Sequence, residues 1–138
     1  MNKKIYFAGS IRGGRQDAET YKEVIEYIQK TDIVLTEHIG NAALNVTERS
    51  RDKDQDIYDQ DTNWLRESDM VIAECTHTSL GVGYELGYAE SRGIPCHIFY
   101  KKSMTQLSAM LNGNPYFSIH PYEEKAEMFE IIDHILNR

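Results

Sequence analysis

The 138 residues suit one domain, read here as residues 1–138, and leave little room for a second. Twenty-two Asp and Glu against fifteen Lys and Arg give a net charge of −7, which argues against a nucleic-acid polymer or an anionic membrane surface as partner. A small anionic ligand held by a few local cations remains compatible with that charge. The opening Met1 to Gly9 carries too short an apolar run for a signal peptide or a membrane span, so a cytoplasmic protein is expected. Cys75 and Cys96 each lie in an apolar, strand-like run, which suits reduced core thiols better than a disulfide.

In chain order, β-rich apolar runs fall at Lys4 to Ala8, Ile33 to Glu37, Met70 to Cys75, Pro95 to Tyr100 and Tyr116 to Ile119. Helix-period segments separate them. The first is expected to start at an Asp17 cap, with Ala18, Tyr21, Val24, Ile25 and Ile28 on one stripe. A polar stretch from Gly40 to Asp56 reads as a surface loop, and a second helix follows over about Gln55 to Glu67. A third opens near Gly81 and runs to about Arg92, and Ser103 is the expected cap of a fourth. The last spans Tyr122 to Leu136, with Ala126, Phe129, Ile132, Ile135 and Leu136 as its stripe. This alternation predicts a doubly wound, five-stranded parallel sheet in flavodoxin-like order 2-1-3-4-5, with helices on both faces. In that order strands one and three lie side by side and their carboxyl ends open the ligand crevice.

The loop after strand one, Gly9-Ser10-Ile11-Arg12-Gly13-Gly14-Arg15, has the makings of an anion site: close backbone approach, helix N–H groups and two guanidinium groups. It is neither a G-x-G-x-x-G fingerprint nor a P-loop, so no nucleotide cofactor is expected. The loop after strand three, Thr76-His77-Thr78-Ser79-Leu80-Gly81-Val82-Gly83, enters a helix at once, and Ser79 with the Gly81 amide can form a second cradle facing the first. Two acids face the core side of their helices: Glu85, beside Leu86 and between Val82 and Ala89, and Asp61, between Ile57 and Trp64-Leu65. An unpaired buried carboxylate is costly, so such acids are either partnered or placed in a cleft with chemistry to perform. Two carboxylates beside a phosphate cradle suggest cleavage of a glycosidic bond of a sugar phosphate. Tyr6 and the Glu37-His38 pair point to the same crevice. Cys75, His77, Cys96 and His97 match no usual zinc spacing, so no metal is expected, and there is no G-x-S-x-G elbow.

Ile5 to Arg15, Leu35-Thr36-Glu37-His38, Asp61 with Trp64-Leu65, Ser79 to Gly87 and Leu107-Ser108-Ala109-Met110 together resemble the 2′-deoxynucleoside 5′-phosphate N-hydrolases of the nucleoside 2-deoxyribosyltransferase superfamily. The resemblance implies hydrolysis of a 2′-deoxynucleoside 5′-monophosphate to free base and 2-deoxyribose 5-phosphate. It implies Glu85 as the nucleophile of a covalent intermediate, Asp61 exchanging a proton with Glu85 and the leaving base, and Tyr6 packing beside the sugar. Ser10, Arg12, Gly13, Ser79 and Gly81 would bind phosphate; Gly9 and Ile11 would line sugar and base, and the loop from His38 would touch the base. Ser108 would complete the site of the neighbouring subunit in a homodimer, with Met110 near the base there. Three alternatives share parts of this pattern: a deoxyribosyltransferase on unphosphorylated nucleosides, a non-catalytic nucleotide-binding module, and a ribonucleotide hydrolase, which Tyr6 disfavours.

Overall fold

The computed structural model describes residues 2–10, 14–36 and 54–138, the side chains of 14–16 excepted. Five parallel strands, β1 (Lys4–Gly9), β2 (Ile33–Val34), β3 (Met70–Glu74), β4 (Cys96–Lys101) and β5 (Ser118–Tyr122), form one sheet in the order β2-β1-β3-β4-β5. The expected topology is the observed one. The helices between them are α1 (Gly14–Gln29), α2 (Asp54–Glu67), α3 (Leu80–Ser91), the single turn α4 (Ala109–Asn112) and α5 (Lys125–Ile135). Among the described residues no helix is long and apolar enough to cross a membrane.

Strand pleat decides which residue meets which helix layer. Ile5, Phe7, Met70, Ile72 and Phe99 join Tyr21, Val24, Ile25 and Ile28 of α1 and Met128 and Ile132 of α5 in one core. Tyr6, Ala8, Val71, Ala73 and Ile98 join Leu65 of α2 and Val82, Leu86 and Ala89 of α3 in the other. Parity therefore sends Tyr6 to the α2/α3 face and Glu74, in phase with Met70 and Ile72, to the α1/α5 face. The α1 stripe read from the sequence is wholly buried. Cys75 and Cys96 are both free thiols.

Several element boundaries differ from expectation, each for a local reason. α1 begins at Gly14, three residues before Asp17, which lies in its first turn and gives its carboxylate to His77 rather than capping. β2 stops at Val34 because the Thr36 hydroxyl takes over the edge of β1, accepting from Phe7 N–H at 2.9 Å and donating to Phe7 C=O at 2.7 Å. α2 opens at Asp54, inside the stretch read as loop, with Asp54 and Asp56 favourably placed at its positive end. Ser103 caps nothing: its own N–H donates to Glu123 at 3.2 Å, and the fourth helix is a single turn capped by Ser108. β5 lies two residues later than its apolar run suggests and carries Pro121, tolerated because β5 is an edge strand. Tyr122 consequently belongs to β5, and α5 buries Met128 and Ile132 while Ala126 stays exposed.

Candidate active site

From the middle of β1, parity aims Tyr6 between α2 and α3, where only 2% of it remains exposed. Its hydroxyl donates to Glu85 Oε2, joining β1 to the second turn of α3. Glu85 is half-buried there, and burial lifts its carboxyl from the ordinary 4.5 to about 7, an effect that the neighbouring Asp61 charge reinforces and the Tyr6 hydrogen bond opposes. Burial, with the charges of Glu85 and Asp61, pushes the Tyr6 phenol far above its ordinary range, so it is a permanent donor. Asp61, half-buried on α2, acts on both groups through its charge. The three residues singled out as reactive in the sequence thus form one cluster on one face of the sheet.

The amino end of α3 opens toward the same crevice. Ser79 is its N-cap, accepting from Val82 N–H at 3.2 Å, and its carbonyl accepts from Gly83 N–H at 3.1 Å. Gly81 sits in that first turn, where N–H groups lack intrahelical partners and an anion is favoured. Six residues separate Ser79 from Glu85, about 9 Å along a helix axis. One short helix thereby sets a serine-capped amino end and a carboxylate at a fixed spacing. Ser10, just after β1, is almost fully buried, its hydroxyl 3.4 Å from the Thr78 carbonyl, and so ties the loop after β1 to the loop after β3.

Gly9 has a steric reason to be glycine: a Cβ there would lie 2.6 Å from Tyr21 Cζ, in a ring that is itself fully buried. Ile11, Arg12, Gly13 and His38 lie outside the described residues. Ser108 and Met110 are exposed, the Ser108 hydroxyl accepting from Met110 N–H at 3.3 Å, and within one chain neither is bonded to the Tyr6–Glu85 pair.

Sequence reasoning missed Glu74. Although it is buried at the end of β3, its carboxylate accepts from Thr76 N–H at 2.9 Å, Thr76 Oγ1 at 2.5 Å and the Tyr122 hydroxyl, while Thr76 Oγ1 accepts from Lys101 N–H at 2.9 Å. An acid closing an otherwise apolar strand was the available signal. The network braces the loop that carries Ser79. Beside it, a cavity of about 360 Å³ opens on the α1/α5 face, with Asp17, Tyr21, Glu74, Thr76, His77 and Tyr122 in its wall.

A family model described as nucleoside 2-deoxyribosyltransferase matches residues 5–128, from the second residue of β1 to Met128 in α5. The chain belongs to this family. Among relatives of this nucleoside 2-deoxyribosyltransferase family member, a 5-hydroxymethyl-dUMP N-hydrolase of Tetraodon nigroviridis is 49% identical over 113 residues, covering 80% of this chain and 79% of the relative. A 5-hydroxymethyl-dUMP N-hydrolase of Danio rerio is 44% identical over 125 residues, covering 87% of each chain. The solved CMP N-glycosidase of Clostridium botulinum superposes with a TM-score of 0.66 at 17% identity, covering 95% of this chain and 99% of that one, a likeness of fold.

Proposed function

We propose that this family member hydrolyses the N-glycosidic bond of 2′-deoxynucleoside 5′-monophosphates, releasing free base and 2-deoxyribose 5-phosphate. That it is an N-glycosidase acting on nucleotides accords with the names of its relatives. The observation that carries the finer reading is the inward Glu85 carboxylate, hydrogen-bonded by Tyr6 and flanked by Asp61, on the same short helix as the Ser79 anion site. A non-catalytic binding module would have no need to hold an acid so far above its ordinary pKa.

In the proposed reaction a Glu85 oxygen attacks C1′ while the bond from C1′ to the base nitrogen breaks and its electron pair leaves with the base. Asp61 passes to the base the proton that the Glu85 carboxyl gives up as it ionises, and Tyr6 holds the attacking carboxylate in line through its O–H. Water then adds to C1′, Asp61 takes its proton, and the bond to Glu85 breaks to restore the free carboxylate. The 5′-phosphate would rest on Ser79, Gly81 and the loop of Ser10, Arg12 and Gly13, with Gly9 and Ile11 along the sugar and His38 toward the base. The two relatives suggest a 5-substituted deoxyuridylate as the preferred substrate. A homodimer in which Ser108 and Met110 reach the neighbouring site accords with their exposure and with that of Leu80, Tyr58 and Tyr84, large apolar groups left facing outward.

Incubation with 5-hydroxymethyl-dUMP, the four common deoxynucleoside monophosphates and their unphosphorylated counterparts, followed by chromatography of the free base, tests this reading. Release from monophosphates is expected, lost in Glu85→Ala with the fold retained. Arg12→Ala is expected to raise KM at little cost to kcat. Base exchange on free nucleosides would establish a transferase instead, and turnover by Glu85→Ala would overturn the mechanism.

A further inference from the structure

Asp17 is an odd residue to find in the first turn of α1. A carboxylate there competes with any anion for the positive end of the helix, yet this is the helix that follows the phosphate-binding loop. The structure turns that charge aside. Asp17 Oδ2 lies 2.5 Å from His77 Nδ1, in the loop after β3, and 3.4 Å from the Tyr21 hydroxyl, which donates to the Ser10 carbonyl at 3.0 Å. His77 is immediately followed by Thr78, whose carbonyl faces the Ser10 hydroxyl, and then by Ser79. The loops after β1 and β3 are therefore joined twice, directly through Ser10 and Thr78 and again through His77 and Asp17 at the start of α1, with the one Tyr21 proton shared between the Ser10 carbonyl and the Asp17 carboxylate.

We infer that Asp17 and His77 are a positioning pair that sets the spacing of the two phosphate-binding loops, an inference that rests on the function proposed above. The pair lies on the α1 side of the crevice, away from the face that holds Glu85 and Asp61, so it acts on the phosphate end of the substrate and leaves the bond-breaking groups alone. Tyr21 cannot take over the task alone, because its ring is fixed against Gly9 and its hydroxyl contacts Ser10 and Asp17, neither of which lies in the loop after β3.

A simple charge effect predicts something different. If His77 merely attracted phosphate, removing the nearby Asp17 anion would tighten phosphate binding. If the pair holds the loops, removing either partner loosens it. The test is steady-state hydrolysis of the preferred monophosphate together with calorimetric binding of 2-deoxyribose 5-phosphate by the parent, His77→Ala, Asp17→Asn, the double variant and His77→Gln. His77 has 43% of its side chain exposed, so His77→Ala is expected to fold. Both single variants should raise KM and the Kd for 2-deoxyribose 5-phosphate roughly 5- to 10-fold, with kcat within about 2-fold of the parent, the scale of one lost charge-assisted hydrogen bond. The double variant should be no worse than either single one, and His77→Gln, whose amide can still donate to Asp17, should recover part of the loss. Tighter binding by Asp17→Asn, additive losses, or a fall in kcat with KM unchanged would overturn the pairing while leaving the hydrolase reading intact. A parent that neither hydrolyses monophosphates nor binds 2-deoxyribose 5-phosphate would overturn both.

Discussion

Glu85 carries the most consequential perturbation in the protein. Its carboxyl is held near 7 by burial, with Asp61 adding to the shift and Tyr6 opposing it. As the proposed nucleophile it must be ionised while Asp61 carries the proton for the base, and that one-proton state of the pair is lost above about 7, so kcat/KM is expected to fall as pH rises through that value. Tyr6→Phe deletes the hydrogen bond that favours the anion, and the limb near 7 should move upward by roughly a unit while kcat falls. Pre-steady-state pH profiles of the two proteins check this. The same shift has a stability consequence of determinate sign. Between 4.5 and about 7 the folded state keeps a proton that the unfolded chain has released, so Glu85 costs increasing stability as pH rises through that window. Glu85→Gln, which stays neutral and can still accept from Tyr6, should therefore gain more in Tm over the parent at pH 8 than at pH 5, by calorimetry.

Among the elements, β1 and α3 do most to build the site. β1 sends Tyr6 to one face and packs Gly9 against Tyr21 on the other; Gly9→Ala must push a fully buried, hydrogen-bonded ring aside. A loss of about 1–3 kcal/mol in urea denaturation is expected, with weaker phosphate-ester binding, since Tyr21 also holds the Ser10 carbonyl. α3 combines an N-cap at Ser79 with an inward acid two turns later, and its remaining surface is nearly as apolar outside as inside, Leu80 being 97% exposed. Helix phase made Glu85 and Asp61 legible as inward acids, because a 3.6-residue period is a local property. The same arithmetic could not reveal Glu74, whose donors come from residues 2 and 48 positions away, nor the early end of β2, which depends on Thr36 meeting Phe7 across 29 positions.

At the scale of the whole molecule, the proposed homodimer makes a distinct prediction. If Ser108 serves the neighbouring site, mixing inactive Glu85→Gln with weakened Ser108→Ala protomers should restore activity, since each mixed dimer pairs an intact Glu85 with an intact Ser108 in one of its two sites. Activity of the mixture equal to the mean of the separate variants would argue against a shared site. The sequence alone determined the alternation of strands and helices, the sheet order that follows from it, the α1 stripe and the loops facing the crevice, because each of these depends on short-range periodicity and on the few ways parallel strands can be wound. Only the tertiary structure decided which acid meets Tyr6, that Asp17 turns onto His77 instead of capping its helix, and that Glu74 braces the loop carrying Ser79. Those contacts join residues 48 to 79 positions apart, and no local pattern encodes which distant side chain a folded sheet will bring alongside.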